Sequence, residues 1–267
     1  MLPSLKDIIS TYGLAAKKGL GQHFLLDLNV TKKIVVKAGD LRGVHVIEIG
    51  PGPGGLTRPI IDSDAASVLA IEKDKRCVEA AAVLEPYAKG RFRIIEADAL
   101  EVDIPSLVPA PRVIISNLPY NVGSALLVKW LMEIDEYQSL TLMFQAEVVD
   151  RLLAKPRTKE YGRLSVLTQF MCCGQRVMTL PARAFTPPPK VDSAVVHLVP
   201  RKDRPRDVDV RKLEQVTSAA FGQRRKMLRA SLKGLGGEAL LAQAGISPTC
   251  RAEELTLAEF ETLARLV

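Results

Sequence analysis

The segment that decides the fold reads Val44-His45-Val46-Ile47-Glu48-Ile49-Gly50-Pro51-Gly52-Pro53-Gly54-Gly55-Leu56. A short, largely β-branched run passes directly into a glycine-rich loop, and a helix is expected from Leu56. Such a loop lets the chain turn sharply and bring its backbone against a ligand, where a Cβ would obstruct. Gly50, Gly52 and Gly55 satisfy G-x-G-x-x-G, so the loop alone fits a dinucleotide as well as other adenosine-bearing cofactors.

From residue 44 onward, β-branched runs alternate with amphipathic stretches, the pattern of a parallel α/β sheet. The expected strands are 44–49, 67–72, 92–96, 112–116, 140–144, 176–180 and 194–199. Helices are expected over 74–88, 124–134, 146–154 and 163–172, and Asn29 is read as the cap of a helix running to Lys37. Only residues 181–193 separate the last two strands, too few for a crossover helix of useful length, so an antiparallel pair at the sheet edge is expected. The fold class is therefore α/β, a Rossmann-like seven-stranded sheet over residues 1–199. A polar linker beginning Pro200-Arg201-Lys202-Asp203 opens a small helical domain, 200–267, in which Gly234, Gly236 and Gly237 act as breakers.

The chain has 267 residues, of which 47% are hydrophobic and 25% charged, enough to bury one large core and carry a small appendix. No run approaches the roughly 18 apolar residues of a membrane span, and residues 1–10 lack the layout of a signal peptide, so a cytoplasmic protein with no membrane association is expected. Cys77, Cys172, Cys173 and Cys250 form no C-x-x-C pair and lie far in sequence from His23, His45 and His197, which supports neither a metal site nor a disulfide framework. The net charge is +7, and residues 201–233 hold eleven Lys and Arg against four acids, so that segment carries the whole excess. Such concentration points to a polyanionic partner, nucleic acid above all.

Glu72 closes the second strand 22 residues after Gly50, where a carboxylate can accept both hydroxyls of an adenosine ribose. Asp98 follows the carboxyl end of the third strand, in Glu96-Ala97-Asp98-Ala99, and can accept from an adenine amine. The fourth strand runs into Asn117-Leu118-Pro119-Tyr120. Adenine's exocyclic nitrogen is a poor nucleophile, because its lone pair is delocalised into the ring. Two acceptors, the Asn117 side-chain oxygen and the Leu118 carbonyl, would hold its hydrogens, localise that lone pair and aim it at an electrophilic methyl. Pro119 fixes the loop and Tyr120 offers a face for the base. Together with Asp98, this motif favours S-adenosylmethionine over a dinucleotide as the cofactor.

Five motifs in order carry a resemblance: Gly19-Leu-Gly-Gln-His-Phe-Leu25, Glu48-Ile-Gly-Pro-Gly52, Asn117-Leu-Pro-Tyr120, Phe185-Thr-Pro-Pro-Pro-Lys-Val-Asp-Ser193 and Phe221-Gly-Gln-Arg-Arg-Lys-Met-Leu228. The chain resembles the KsgA family of small-subunit ribosomal RNA adenine dimethyltransferases over essentially its full length. The resemblance implies a methyltransferase sheet and dimethylation of two adjacent adenines in a small-subunit hairpin, linked to ribosome assembly. The implied partner is small-subunit ribosomal RNA or the immature particle, and the chain is taken as a monomer. It also implies cofactor contacts at His23, Leu25, Gly50, Glu72, Asp98 and Asn117, with His23 standing where bacterial members commonly have Asn. Phe185 looks like a second aromatic wall for the target base, and Arg224, Arg225 and Lys226 look like RNA contacts.

Four alternatives stay in view. A large-subunit RNA adenine methylase shares the fold, but the motifs from residue 185 onward argue against it. A non-catalytic ribosome-assembly factor would have no use for the Glu72, Asp98 and Asn117 set. A DNA amino-methyltransferase would need a larger recognition domain than the tail supplies. An NAD dehydrogenase would leave residues 117–120 unexplained.

Overall fold

In the computed structural model, which describes residues 3–14 and 22–267, all seven expected strands form and share one sheet. Gly19, Leu20 and Gly21 of the first motif lie outside the described residues. The chain opens with α1 (Leu5–Thr11), β1 (Phe24–Leu25), α2 (Leu28–Lys37), β2 (His45–Ile49), α3 (Thr57–Ile61), β3 (Ser67–Glu72) and α4 (Lys75–Ala82). It continues with β4 (Phe92–Glu96), α5 (Ile104–Leu107), β5 (Arg112–Asn117), α6 (Gly123–Met132), β6 (Ser139–Gln145), α7 (Ala146–Leu152) and α8 (Arg163–Met171). The remainder is β7 (Cys172–Leu180), β8 (Phe185–Thr186), β9 (Ser193–Pro200), α9 (Val210–Gly222), α10 (Leu228–Ser231), α11 (Gly237–Gln243) and α12 (Leu257–Leu266).

The sheet order is β4-β3-β2-β5-β6-β9-β7. Strands β4, β3, β2, β5 and β6 are mutually parallel, β9 lies antiparallel against β6, and β7 stands beside β9 at the sheet edge. Strands β2, β3, β5 and β6 are buried almost throughout, which is why they read as near-continuous apolar runs. From β2 the chain winds outward through β3 and β4, then returns to the other side of β2 as β5. The direction of winding therefore reverses between β2 and β5, and the crevice at their carboxyl ends is where such a sheet takes ligands. Beneath it, Val46, Val68, Val113, Ile115 and Val195 meet Ile34 and Ile60 in one apolar core.

Four details differ from the sequence reading. The cap of α2 is Asp27, whose carboxylate accepts from the Asn29 amide at 2.8 Å; Asn29 is the capped residue, two positions inside. The helix expected over 74–88 stops at Ala82, and a 3-10 turn, Glu85–Tyr87, follows around Pro86, which has no amide to continue an α-helix. Strands β1 and β8 pair antiparallel, with Phe24 against Thr186 and Leu25 against Phe185, a ribbon too short to leave a periodic signal.

The fourth difference concerns the domain boundary. The chain divides into two compact units, residues 1–146 with 175–200, and residues 147–174 with 201–267. Residues 147–174, expected within the catalytic domain, belong with the helical tail. Gln169 donates to the carbonyls of Leu152 and Ala154, and the Arg201 backbone amide and guanidinium reach the carbonyls of Met171 and Gln169. Tyr161 meets Phe221 edge-on with ring centroids 5.9 Å apart, and Phe221 stacks on Phe260 at 5.6 Å. These aromatics make the second unit one core of α7, α8 and the four tail helices.

Gly55 marks the tightest approach in the first unit: a Cβ there would stand 2.3 Å from the Leu25 carbonyl oxygen. Gly55→Ala must push the segment carrying β1 away from the glycine loop. We expect a loss of at least about 1–3 kcal/mol of stability, read by thermal unfolding, whereas an unchanged transition would mean the two segments are not held together.

Candidate active site

The turn after β2 brings its backbone into the crevice because Gly50 adopts a left-handed φ of 66°, which a side-chain-bearing residue rarely takes. Around this turn lies a cavity lined by Gln22–Leu25, Glu48–Pro53, Gly55, Leu56, Ile71–Lys73, Ala97–Ala99, Asn117–Val122 and Leu126. It therefore gathers His23, Leu25, Gly50, Glu72, Asp98 and the whole Asn117–Tyr120 tetrapeptide. Phe185 is not on this lining. It is 3% exposed and packs in the core with Leu25, Leu180 and Val195, so a wall-forming role would require β8 to move and expose its ring.

Asn117 ends β5 and donates its side-chain amide to the His23 carbonyl at 3.2 Å. The nitrogen end of the amide is thereby engaged, which leaves Oδ1 as an acceptor at the cavity. Leu118 is 2% exposed, and the Pro119 carbonyl accepts from the Val122 and Gly123 amides to close a turn that runs into α6. The Tyr120 hydroxyl lies 2.6 Å from Ser193 Oγ, and burial pushes its pKa up, so it stays a neutral phenol. The His23 ring sits against the Tyr120 ring at 5.3 Å, with planes tilted by 32°. His23 Nδ1 is 2.8 Å from the Pro187 carbonyl, so that nitrogen carries a proton and donates it.

Glu72, at the end of β3, accepts from the amides of Lys73 and Asp74 through one carboxylate oxygen, both at 2.8 Å. Burial still raises its pKa, opposed by those amides and that of Gly52. Asp98 pairs with Lys73 at 2.7 Å and accepts from the Leu100 amide at 3.0 Å. The hydrogen bond from Lys73 holds its carboxyl below the usual carboxylate range. Lys129 of α6, which carried no sequence signal, fixes the same loop by donating to the carbonyls of Ala99, Leu100 and Val102.

Glu48 lines the cavity one residue before the end of β2, and its Oε2 is buried with no hydrogen-bond partner among the described residues. Burial, eased by the neighbouring Thr57 hydroxyl and reinforced by the charge of Glu72, pushes its carboxyl up to about 8. A buried acid with an unanswered oxygen, beside a turn in which Gly50 and Gly52 take left-handed φ and opposite an acid at the end of the next strand, suits a cofactor bearing both an amino-acid and an adenosine end. Glu48 and Ser193 stand inside recognisable motifs, but nothing in the residues around them signals the role of either.

The expected RNA contacts divide in the second unit. Arg225 and Lys226 are exposed and make no ion pair among the described residues. Arg224 is half-buried, and its guanidinium is taken by Glu253 at 2.9 Å and by the Lys159 carbonyl at 2.5 Å. Among the described residues no helix is long and apolar enough to cross a membrane, and no cluster of three or more His, Cys, Asp or Glu could hold a metal.

A doubly wound sheet with a glycine turn after its central strand, an acid ending the next strand and Asn-Leu-Pro-Tyr at the switch point defines a Rossmann-like methyltransferase. More narrowly, the chain belongs to the ribosomal RNA adenine dimethylase family, whose family model matches residues 13–267. It is 55% identical to a protein named ribosomal RNA small subunit methyltransferase A from Agrobacterium fabrum, covering 98% of this chain and 97% of the relative. A protein of the same name from Paramagnetospirillum magneticum is 53% identical over 99% of this chain and 94% of its own length. Among solved structures, a dimethyladenosine transferase from Plasmodium falciparum matches 90% of this chain and 96% of its own with a TM-score of 0.76 at 24% identity, a likeness of fold. The 23S rRNA methyltransferase ErmE matches 91% and 99% with a TM-score of 0.67 at 26% identity.

The raised carboxyl of Glu48 sets a pH dependence. Stability from a protonated buried acid is fully present below the unfolded value of 4.5 and is lost as pH rises through about 8. The cofactor-free protein should therefore lose stability from pH 4.5 to 8 through this group. Glu48→Gln should remove that component and unfold at the higher temperature at pH 8; parallel pH profiles for the two proteins would contradict it.

Proposed function

We propose that the protein transfers methyl groups from S-adenosylmethionine to the exocyclic N6 amine of adenines in small-subunit ribosomal RNA, dimethylating two adjacent adenines of a hairpin. The observation that carries the reading is the Asn117 amide at the cavity, whose nitrogen is bound to the His23 carbonyl, so that its oxygen is the end left to accept. The family and the names of its relatives above 50% identity support the small subunit as the source of the RNA.

The cofactor would be held by the turn at Gly50, by Glu72 toward its ribose, by Asp98 toward its adenine, and by His23 and Leu25 from the segment that pairs with β8. When bound, it supplies a methyl group on a sulfonium, an already activated leaving group. The chain's work is then orientation. Asn117 Oδ1 and the Leu118 carbonyl accept the two amine hydrogens, which draws the lone pair out of conjugation and fixes its direction. Such positioning is worth several orders of magnitude in rate. Tyr120, held upright by Ser193, gives the extruded base a face to stack on, contributing on the order of 1–3 kcal/mol against the cost of unstacking it. The alkylated ammonium is a strong acid and yields its proton to water, so no side-chain base is required. A monomethylated amine keeps one hydrogen for one of the two acceptors, and the same site serves a second transfer.

The reading places the protein in the cytoplasm, acting as a monomer on an immature small subunit, with Arg225 and Lys226 contacting RNA phosphates. Asn117→Ala should lower transfer on the order of 10²-fold or more while cofactor binding and melting temperature stay near the parent's. Undiminished transfer in a single-turnover assay would remove Asn117 from the reaction centre. Phe185→Ala should instead act first on the fold, costing about 3–5 kcal/mol, and a stable variant that had lost only transfer would show that Phe185 meets the base.

A further inference from the structure

Beside α7 and α8 the second unit holds a cavity of about 910 Å3, and among its lining cations are Arg151, Arg157, Lys159, Arg163 and Arg224. Three of the five are already committed: Arg151 to Glu147 at 3.7 Å, Arg163 to Glu214, and Arg224 to Glu253. Arg157 and Lys159 are exposed and carry no side-chain hydrogen bond or ion pair among the described residues. On the same loop Lys155 is equally unpaired, and Glu160 is the one acid left without a partner there. The loop's free charge is thus three cations against one acid.

The loop is fixed from behind. Arg224 donates to the Lys159 carbonyl at 2.5 Å and the Thr158 carbonyl at 3.4 Å, and Glu253 holds that guanidinium in place. The Arg157 amide donates to the Glu253 carbonyl at 2.7 Å. Arg157 has a φ of 68°, the left-handed conformation that a glycine would adopt without strain. A long cation kept at such a position points to a need for its side chain.

Resting on the reading of RNA as substrate, we propose that Arg157 and Lys159 are phosphate contacts for the RNA backbone, and that Arg224 is the positioning residue that presents them. The cationic motif at 224–226 then splits by role. Arg224 orders the loop through its carbonyls, while Arg225 and Lys226 stay free for the polyanion. Phosphate contacts position an RNA without reading its sequence, so the surface recognises backbone charge.

The test measures binding of the full-length protein to a small-subunit RNA hairpin across a salt series. Arg157→Ala with Lys159→Ala should weaken binding and lower the slope of log affinity on log salt by roughly 1–2, the loss of two phosphate contacts. Arg157→Gly relieves the backbone, so it should melt no lower than the parent yet bind RNA more weakly. Glu253→Ala gives the decisive sign. If Arg224 is a clamp, removing its anchor loosens the loop and weakens binding several-fold; if Arg224 itself grips phosphate, removing a neighbouring acid leaves binding equal or tighter, which overturns the assignment. A salt slope unchanged in the double variant, with the parent's intact, refutes this proposal alone. A parent that binds the hairpin without salt dependence refutes it together with RNA as the substrate.

Discussion

The hydrogen bond from the Asn117 side chain to the His23 carbonyl joins two segments that the chain places far apart. One is the end of β5, at the point where the winding of the sheet reverses. The other is the short stretch before β1, which β8 pins in place by pairing with it. Without that bond the Asn117 amide could present either end to the cavity, and an amine has use only for the oxygen. The chemistry thus depends on a structural bond that itself contacts no reactant.

The surroundings of that bond are arranged to keep charge quiet. Glu72 is buried but answered by backbone amides, Asp98 is answered by Lys73, and Glu48 is left to hold its proton. Tyr120 stays neutral because burial disfavours its phenolate. A transfer that starts from a cationic sulfur and a neutral amine gains nothing from a strong base or from an oxyanion site. Rigid acceptors suffice, and the site offers rigid acceptors. The loop that carries Asp98 is stiffened in the same spirit by Lys129, a lysine whose charge serves three carbonyls.

The sheet and the site were legible in the sequence because both are written locally. A parallel strand buried on two faces reads as an unbroken β-branched run, and ligands bind at strand ends, so Gly50, Glu72, Asp98 and Asn117 each stood at the end of a recognisable run. What was not legible depends on distant partners. The β1 and β8 ribbon has two residues a side and no periodicity. The helices of 147–174 show their amphipathic faces without saying which core receives them, and distant partners such as Phe221 for Tyr161 and Arg201 for Gln169 decide it. Arg224 read as a surface cation because its neighbours in sequence are surface cations, while Glu253, which claims it, lies 29 residues away. Phe185 read from its motif as a second aromatic wall for the target base, whereas its strand pairs with that of Leu25 and its ring lies in the core. The distinction between Asp27 and Asn29 as caps was lost because both side chains can accept from an amide.

Dimethylation of adenine amines in small-subunit ribosomal RNA, through the crevice between β2 and β5, leaves a chemical record in the RNA itself. The most direct measurement is mass spectrometry of ribosomal RNA from cells with and without the protein. N6,N6-dimethyladenosine should disappear from the small-subunit RNA when the protein is absent and return when it is restored. A full complement of dimethyladenosine in its absence, or a loss confined to large-subunit RNA, would contradict it.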